Sequence, residues 1–404
     1  MAIRSLRTAL KRLNPNFTLH PSQQQPSTFR SLSIPVSITI LHDNPEQSKP
    51  DDDLKSRIFR VRLPKRSATN ALENWVNEGN KVTINELRDI AKELRRAHRY
   101  KHALEISEWM VRNPDFEVSD SDFGVRIDLM TKVFGIDAAE RYFEGLPMSA
   151  KTGETYTALL HCYASAKLTE KAEGLFDRAK DANVTLNALT YNEMMTLYMS
   201  VGQFEKVPLV IEDLKRREVS ADLFTYNLWI SSCAANLDID SVKRILDEMN
   251  SDPNADEGWL MYKQLADIYV TVGNLMQSEC NSLVETEKKV TQRECITYDF
   301  LIILYTGLKN KERIDQIWKS LRMAPMKMTS RNYICIISSY LMLGHSKEAG
   351  EVFEQWKQST TTDFDSRACA RLFDAFKGAG LVEKTEMLDA LMIENGCTPD
   401  NQSQ

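Results

Sequence analysis

The sequence lacks any apolar run approaching the roughly 20 residues that a bilayer-spanning helix needs. The longest, Phe300 to Tyr305, stops after six. It has no Cys-x-x-Cys pair; its seven cysteines stand singly at 162, 233, 280, 295, 335, 369 and 397. An odd, dispersed set argues against a disulfide or zinc framework and reads as free thiols at buried helix positions in a reducing compartment. Also missing are a Gly-x-x-x-x-Gly-Lys phosphate loop and the His-x-Glu with Pro-Cys-x-x-Cys signature of a deaminase. His98 and His102 are spaced like a two-histidine metal site, but the intervening Arg99, Tyr100 and Lys101 supply no glutamate and repel a cation. His161 and Cys162 are neighbours in sequence, which says nothing about a catalytic pair, since the fold brings such pairs together. The expectation is no enzyme, metal, cofactor or small-molecule substrate.

Acidic residues are absent from the first thirty positions, which carry Arg4, Arg7, Lys11, Arg12 and Arg30, with Ile3, Leu6, Leu10 and Leu13 at helical spacing. That pattern reads as a transit peptide, with Arg30-Ser31-Leu32-Ser33 resembling a mitochondrial processing site. A chloroplast address and a basic helix lying on a membrane or nucleic acid are the alternatives.

With 42% hydrophobic and 27% charged residues, the remainder has the composition of a folded protein. At 404 residues it exceeds one typical core, so it forms several domains or one array of stacked units. Self-similarity decides for the array. Aromatic anchors recur at Phe123, Tyr156, Tyr191, Tyr226, Tyr262, Tyr298 and Tyr333, with Ala368 as a weaker member, at steps of 33 to 36 residues. Seven residues after each anchor the same helical face carries Met130, Tyr163, Tyr198, Cys233, Tyr269, Tyr305, Tyr340 and Ala375, which makes a first helix of about four turns. Gly202, Gly273 and Gly344 stand where a left-handed residue would end it. A second apolar set at Phe143, Phe176, Ile211, Leu246, Trp318, Phe353 and Leu388 makes a second helix. Each hairpin is too small to bury its own apolar faces and must stack on neighbours. The anchors read as core packing, with base stacking as the alternative.

Thr190-Tyr191-Asn192, Thr225-Tyr226-Asn227, the near-35 period and the repeat endings Val219 to Asp222 and Gly396 to Asp400 resemble the pentatricopeptide repeat family, over roughly residues 82 to 400. The stretches Ala71 to Gly79, Glu86 to Ile90 and Tyr100 to Met110 resemble the opening module of a short plant mitochondrial subgroup. A tetratricopeptide array is the structural rival, but its Trp-x-x-Leu-Gly pattern does not recur. The resemblance implies an all-α, right-handed α-solenoid of about nine stacked helix-turn-helix repeats. The organisation expected is a transit peptide at 1–32, a flexible linker with a basic end at 33–66, a capping helix region at 67–81, the repeat solenoid at 82–400 and a tail at 401–404.

The resemblance also implies single-stranded RNA read one base per repeat, by the residue after the anchor and the last residue of the repeat. Those pairs are Thr157 with Asn187, Asn192 with Asp222, Asn227 with Gly258, Lys263 with Glu294, Asp299 with Thr329, Ile334 with Phe364 and Cys369 with Pro399. The first two match common family combinations, implying adenine and then uracil; Ile334, Phe364 and Cys369 offer a base edge little to bond. Charge is uneven. Residues 55–102 hold thirteen Lys and Arg against five Asp and Glu, whereas residues 103–404 hold 32 against 47. The basic segment contains Arg57, Arg60, Arg62, Lys65, Arg66, Arg88, Lys92, Arg95, Arg96, Arg99 and Lys101, a candidate contact for phosphates or an acidic partner, or simply a solvated face. Two functions follow: an RNA-binding factor in mitochondrial RNA processing, stability or translation, acting on single-stranded or ribosomal RNA, or a scaffold binding ribosomal or other ribonucleoprotein proteins.

Overall fold

The computed structural model describes residues 53–61, 67–249, 256–272, 285–323, 328–359, 362 and 364–395, with backbone alone over 285–294. The transit peptide, most of the linker, Gly273, Pro399 and the tail lie outside these residues. Among the described residues all regular structure is helical, with no strand. The chain divides after Cys162 into two units.

The first unit holds α1 (Leu54–Arg60), α2 (Ala68–Asn77), α3 (Ile84–Arg96), α4 (Tyr100–Arg112), α5 (Asp120–Phe134), α6 (Ile136–Glu144) and most of α7 (Gly153–Ala166). Its helix starts are written in local chemistry. Asp53, Ser67 and Thr83 each accept a backbone N–H from the first turn of α1, α2 and α3, and Ser119 with Asp122 caps α5 reciprocally. The helix α1 corrects the linker expectation over its residues. The acidic run ending in Asp53 provides a cap, and Leu54 and Ile58, one turn apart, are fully buried in a core shared with Leu72, Leu87 and Leu94.

The second unit continues with α8 (Thr169–Asp181), α9 (Ala188–Val201), α10 (Val207–Arg216), α11 (Leu223–Ala235), α12 (Ile239–Glu248), α13 (Glu257–Val272), α14 (Glu285–Gly307), α15 (Lys311–Arg322), α16 (Ser330–Met342), α17 (Ser346–Lys357), α18 (Ser366–Gly378) and α19 (Val382–Glu394). The anchors fall on the first helices and the second apolar set on the second helices, as the period predicts. Each anchor from Tyr156 to Tyr333 is buried. The ring on a second helix meets the next anchor edge-on: Phe143 and Tyr156 at 5.0 Å, Phe176 and Tyr191 at 5.4 Å, Trp318 and Tyr333 at 5.6 Å. Such pairs add about 0.5–1.5 kcal/mol each beyond the area they bury.

A polar lock repeats on the same frame. Tyr198 donates to Glu173 at 2.9 Å and Tyr340 to Asp315 at 2.8 Å, in both cases a carboxylate 25 residues upstream on the preceding second helix. Lys206 completes the first at 2.7 Å and Lys311 the second at 3.0 Å. Tyr269 holds the same position in its repeat, but 25 residues upstream of it stands Arg244, which cannot accept a proton.

The repeat containing Tyr269 leaves the row. The first helices α9 and α11 pack side by side, and the next helix alongside α11 is α14, while α13 meets α11 through Trp259 on Tyr226 and Tyr262 on Asn227. In turn α13 packs against α14, α16 and α18. Between α13 and α18 lie three repeat steps; at about 8–10 Å per packed helix, a helix standing in the row could not touch both ends of that span. The spacing of 36 residues around Tyr262 therefore describes a helix of the right length whose packing differs from its neighbours. Close backbone approach fixes one end of it. A Cβ on Gly258 would lie 2.6 Å from the Gly307 carbonyl oxygen, and one on Gly307 2.8 Å from that of Gly258.

Gly202 ends α9 in the left-handed region, with φ 80° and no atom within 4 Å of where a Cβ would stand. Gly202→Val should therefore lose stability through backbone strain alone, about 1–2 kcal/mol. Gly307→Ala should lose more, because backbone must move. Thermal melts of the two variants check this, and an unchanged Tm for Gly202→Val would move the helix end elsewhere.

Candidate nucleic-acid interface

The basic segment of the first unit separates, once folded, into structural and exposed cations. Arg88 binds Asp122 through two nitrogens, at 3.0 and 2.7 Å, and Arg95 binds Asp128 at 3.0 Å. Arg99 lies 5.5 Å from the Phe59 ring centre and donates to the Phe59 carbonyl at 2.8 Å and to the Val61 carbonyl, which closes the end of α1. Arg57 pairs with Glu78 at 2.6 Å and stacks 4.8 Å over Trp75. Desolvation acts to raise the Asp122 carboxyl, but the Arg88 guanidinium and the Ser119 N–H and hydroxyl outweigh it and hold the carboxyl below its ordinary range. Lys92, Arg96 and Lys101 remain exposed, as does Arg60. Arg62, Lys65 and Arg66 lie outside the described residues. The cations of this stretch divide between the packing of α3 on its neighbours and the outer surface.

The histidines and thiols have structural partners. His98 shares a 2.7 Å hydrogen bond with the Tyr100 hydroxyl, while His102 is buried and receives Arg99 Nε at 3.3 Å. The Thr131 hydroxyl donates to Cys162 Sγ at 3.1 Å. All five described cysteines are free and buried, and burial pushes the Cys233 and Cys335 thiols above their ordinary range.

The positions expected from the sequence to read bases fall into two kinds. At Thr157 the hydroxyl donates to the Gly153 carbonyl at 2.6 Å, inside its own helix, and Asn187 is an exposed N-cap of α9 that accepts from Thr190 N. Asn192 donates its amide to both oxygens of Asp222, at 3.1 and 3.3 Å, and accepts from the Thr225 hydroxyl at 2.9 Å. Asp222 is exposed and also caps α11. The two members of this pair therefore meet at the junction of α9 and α11, one a buried amide and the other a carboxylate facing solvent. From Asn227 onward the partners change. Asn227 accepts the hydroxyl of Tyr262 at 3.2 Å, and Asp299 accepts that of Tyr269 at 2.7 Å, both from α13. Gly258 opposite Asn227 has no room for any side chain. Ile334 and Cys369 are buried, at 2% and 1% exposure. Arg244, where Tyr198 and Tyr340 have an acid, is a local signal at α13 that the sequence analysis did not use.

Asp299 is wholly buried, held by the Asn332 amide at 2.9 and 3.0 Å and by Tyr269. Burial pushes its carboxyl up to about 6, against the pull of Asn332, Arg331 and Tyr269. A folded-state value above the unfolded one means that stability present below about pH 4 is lost as pH rises through 6, on the order of 3 kcal/mol. Asp299→Asn does not titrate, so it should gain stability relative to the parent between about pH 4 and pH 7. Parallel melting curves at both values would show an unperturbed carboxyl.

Comparison with known proteins gives one repeat family. The PPR repeat model matches residues 154–184, 189–219, 224–252 and 332–360. The unmatched interval between 252 and 332 contains α13. A mitochondrial pentatricopeptide repeat-containing protein of Arabidopsis thaliana is 54% identical over 406 residues, covering 100% of this chain and 99% of the relative. A second Arabidopsis thaliana pentatricopeptide repeat-containing protein is 32% identical, covering 85% of this chain and 70% of its own length. Among solved structures, the pentatricopeptide repeat protein PPR10 in complex with an 18-nt psaJ RNA element is 15% identical with a TM-score of 0.35, over 86% of this chain and 58% of that one.

Proposed function

The chain belongs to the pentatricopeptide repeat family and to the mitochondrion, and from that premise we propose that it binds single-stranded RNA as a non-catalytic factor in mitochondrial RNA metabolism. The observation that carries this reading is the Asn192 amide hydrogen-bonded to an exposed Asp222. A base edge offering a donor can bond the solvent-facing lone pairs of Asp222 while the carboxylate keeps the Asn192 amide and its cap of α11, so no buried group is left unpaired. Lys92, Arg96 and Lys101 supply exposed positive charge for phosphates that does not compete with the fold. Catalysis on the RNA falls to other proteins. Specificity from one strong reading pair is modest, since a mismatched base costs about 1–3 kcal/mol in the related duplex case.

A second reading, a scaffold within a ribonucleoprotein such as the mitochondrial ribosome, is favoured by Gly258, Ile334 and Cys369, which offer no reading side chain or only an apolar or weakly bonding one. Fluorescence anisotropy of the purified protein with labelled RNA oligonucleotides at several salt concentrations separates the two. The RNA reading expects affinity that falls with salt. Lys92→Glu, Arg96→Glu and Lys101→Glu together should weaken binding at least about tenfold and flatten the salt slope by about 0.7 for each phosphate no longer neutralised. Absent RNA binding, together with co-sedimentation with ribosomal particles at high salt, would establish the scaffold instead.

A further inference from the structure

We infer that α13 is a resident occupant of the reading face of the second unit, closing that face to RNA from Asn227 onward and leaving Asn192 with Asp222 as the pair that discriminates bases there. This rests on the RNA-binding reading, and it makes α13 a determinant of specificity. Two independent observations support it, position and chemistry, and the register agrees with them.

The first is position. A helix that touches α14, α16 and α18 lies across their shared side, because packing in the row would reach only adjacent helices. The second is chemistry at the reading positions. Tyr262 and Tyr269 extend their hydroxyls to Asn227 and Asp299, the residues that follow the anchors Tyr226 and Tyr298. They take the hydrogen bonds that a base edge would otherwise take, and they do so from protein. Asn192 differs, since its partners come from the next helix in the row and one of them is exposed. The register runs the same way. Tyr198 and Tyr340 are tied back to an acid 25 residues upstream, whereas Tyr269 finds Arg244 there and turns to the Asp299 carboxylate.

The occupant is permanent. On α13, Trp259, Tyr262, Leu265, Ile268, Tyr269 and Val272 are all buried. A lid that opens and closes leaves few such side chains to expose. On α16, buried residues run without a break from Arg331 to Met342, so this helix has no solvent-facing side left for a ligand.

Two measurements test this, and one needs no RNA. In a double-mutant cycle on Tyr269→Phe and Asp299→Ala, read as Tm of the full chain, the double variant should melt no lower than the weaker single variant, because Asp299→Ala alone leaves the buried Tyr269 hydroxyl without its acceptor. Additive losses would mean that the two side chains do not meet, which overturns the placement of α13. The second is selection from a random single-stranded RNA library with the parent, Asn192→Thr and Asn227→Thr. Asn192→Thr should change the preferred base at one position by about fivefold or more, while Asn227→Thr keeps the parent motif. A new preference with Asn227→Thr would overturn the closure. If no protein selects RNA while the cycle is strongly non-additive, the closed face stands and the RNA-binding reading falls.

Discussion

A hairpin of this size cannot bury its own apolar faces, so each depends on the apolar side chains its neighbour lends. The recurring unit of cohesion is the edge-on contact between an aromatic of one second helix and the next anchor, as in Phe176 against Tyr191 and Trp318 against Tyr333. A one-dimensional array held in this way tolerates variation at its exposed positions, because each interface concerns only nearest neighbours.

Apolar contact alone does not choose which helix comes next. Direction is added by the tyrosine, carboxylate and lysine that recur on the frame, at Tyr198 with Glu173 and Lys206 and at Tyr340 with Asp315 and Lys311. A buried hydroxyl needs an acceptor, and where the upstream residue is Arg244 the acceptor is found instead on the face of the array, at Asp299. The close crossing at Gly258 and Gly307, impossible with any larger residue, belongs to the same departure. One exchanged charge and two missing side chains are thus consistent with a helix that keeps its length and amphipathic pattern while changing its place.

Electrostatics follows a similar division. Arg88, Arg95 and Arg99 stabilise the first unit by satisfying carboxylates and backbone carbonyls. Asp122 and Asp128 have further donors in Ser119 and Lys132, so Arg88 and Arg95 are each one member of a small polar network. Lys92, Arg96 and Lys101, close by in sequence, face water and are available to a polyanion. Net charge counted along the chain merges these two roles.

What the sequence by itself determined was every first and second helix that an anchor or a following apolar residue marks, the glycine end at Gly202, and the family. These are properties of spacing and of single residues, and they act over a turn or a hairpin. Only the tertiary structure decided that Leu54 and Ile58 draw a helix out of the expected linker, that three arginines are tied to carboxylates and carbonyls of the fold, and that α13 packs on Asn227 and Asp299, the residues after two anchors. A periodic pattern states which face of a helix must be covered. Which element covers it depends on partners as far apart as α13 and α18, whose contact is chosen by the acceptors and the space left after all nearer helices have packed.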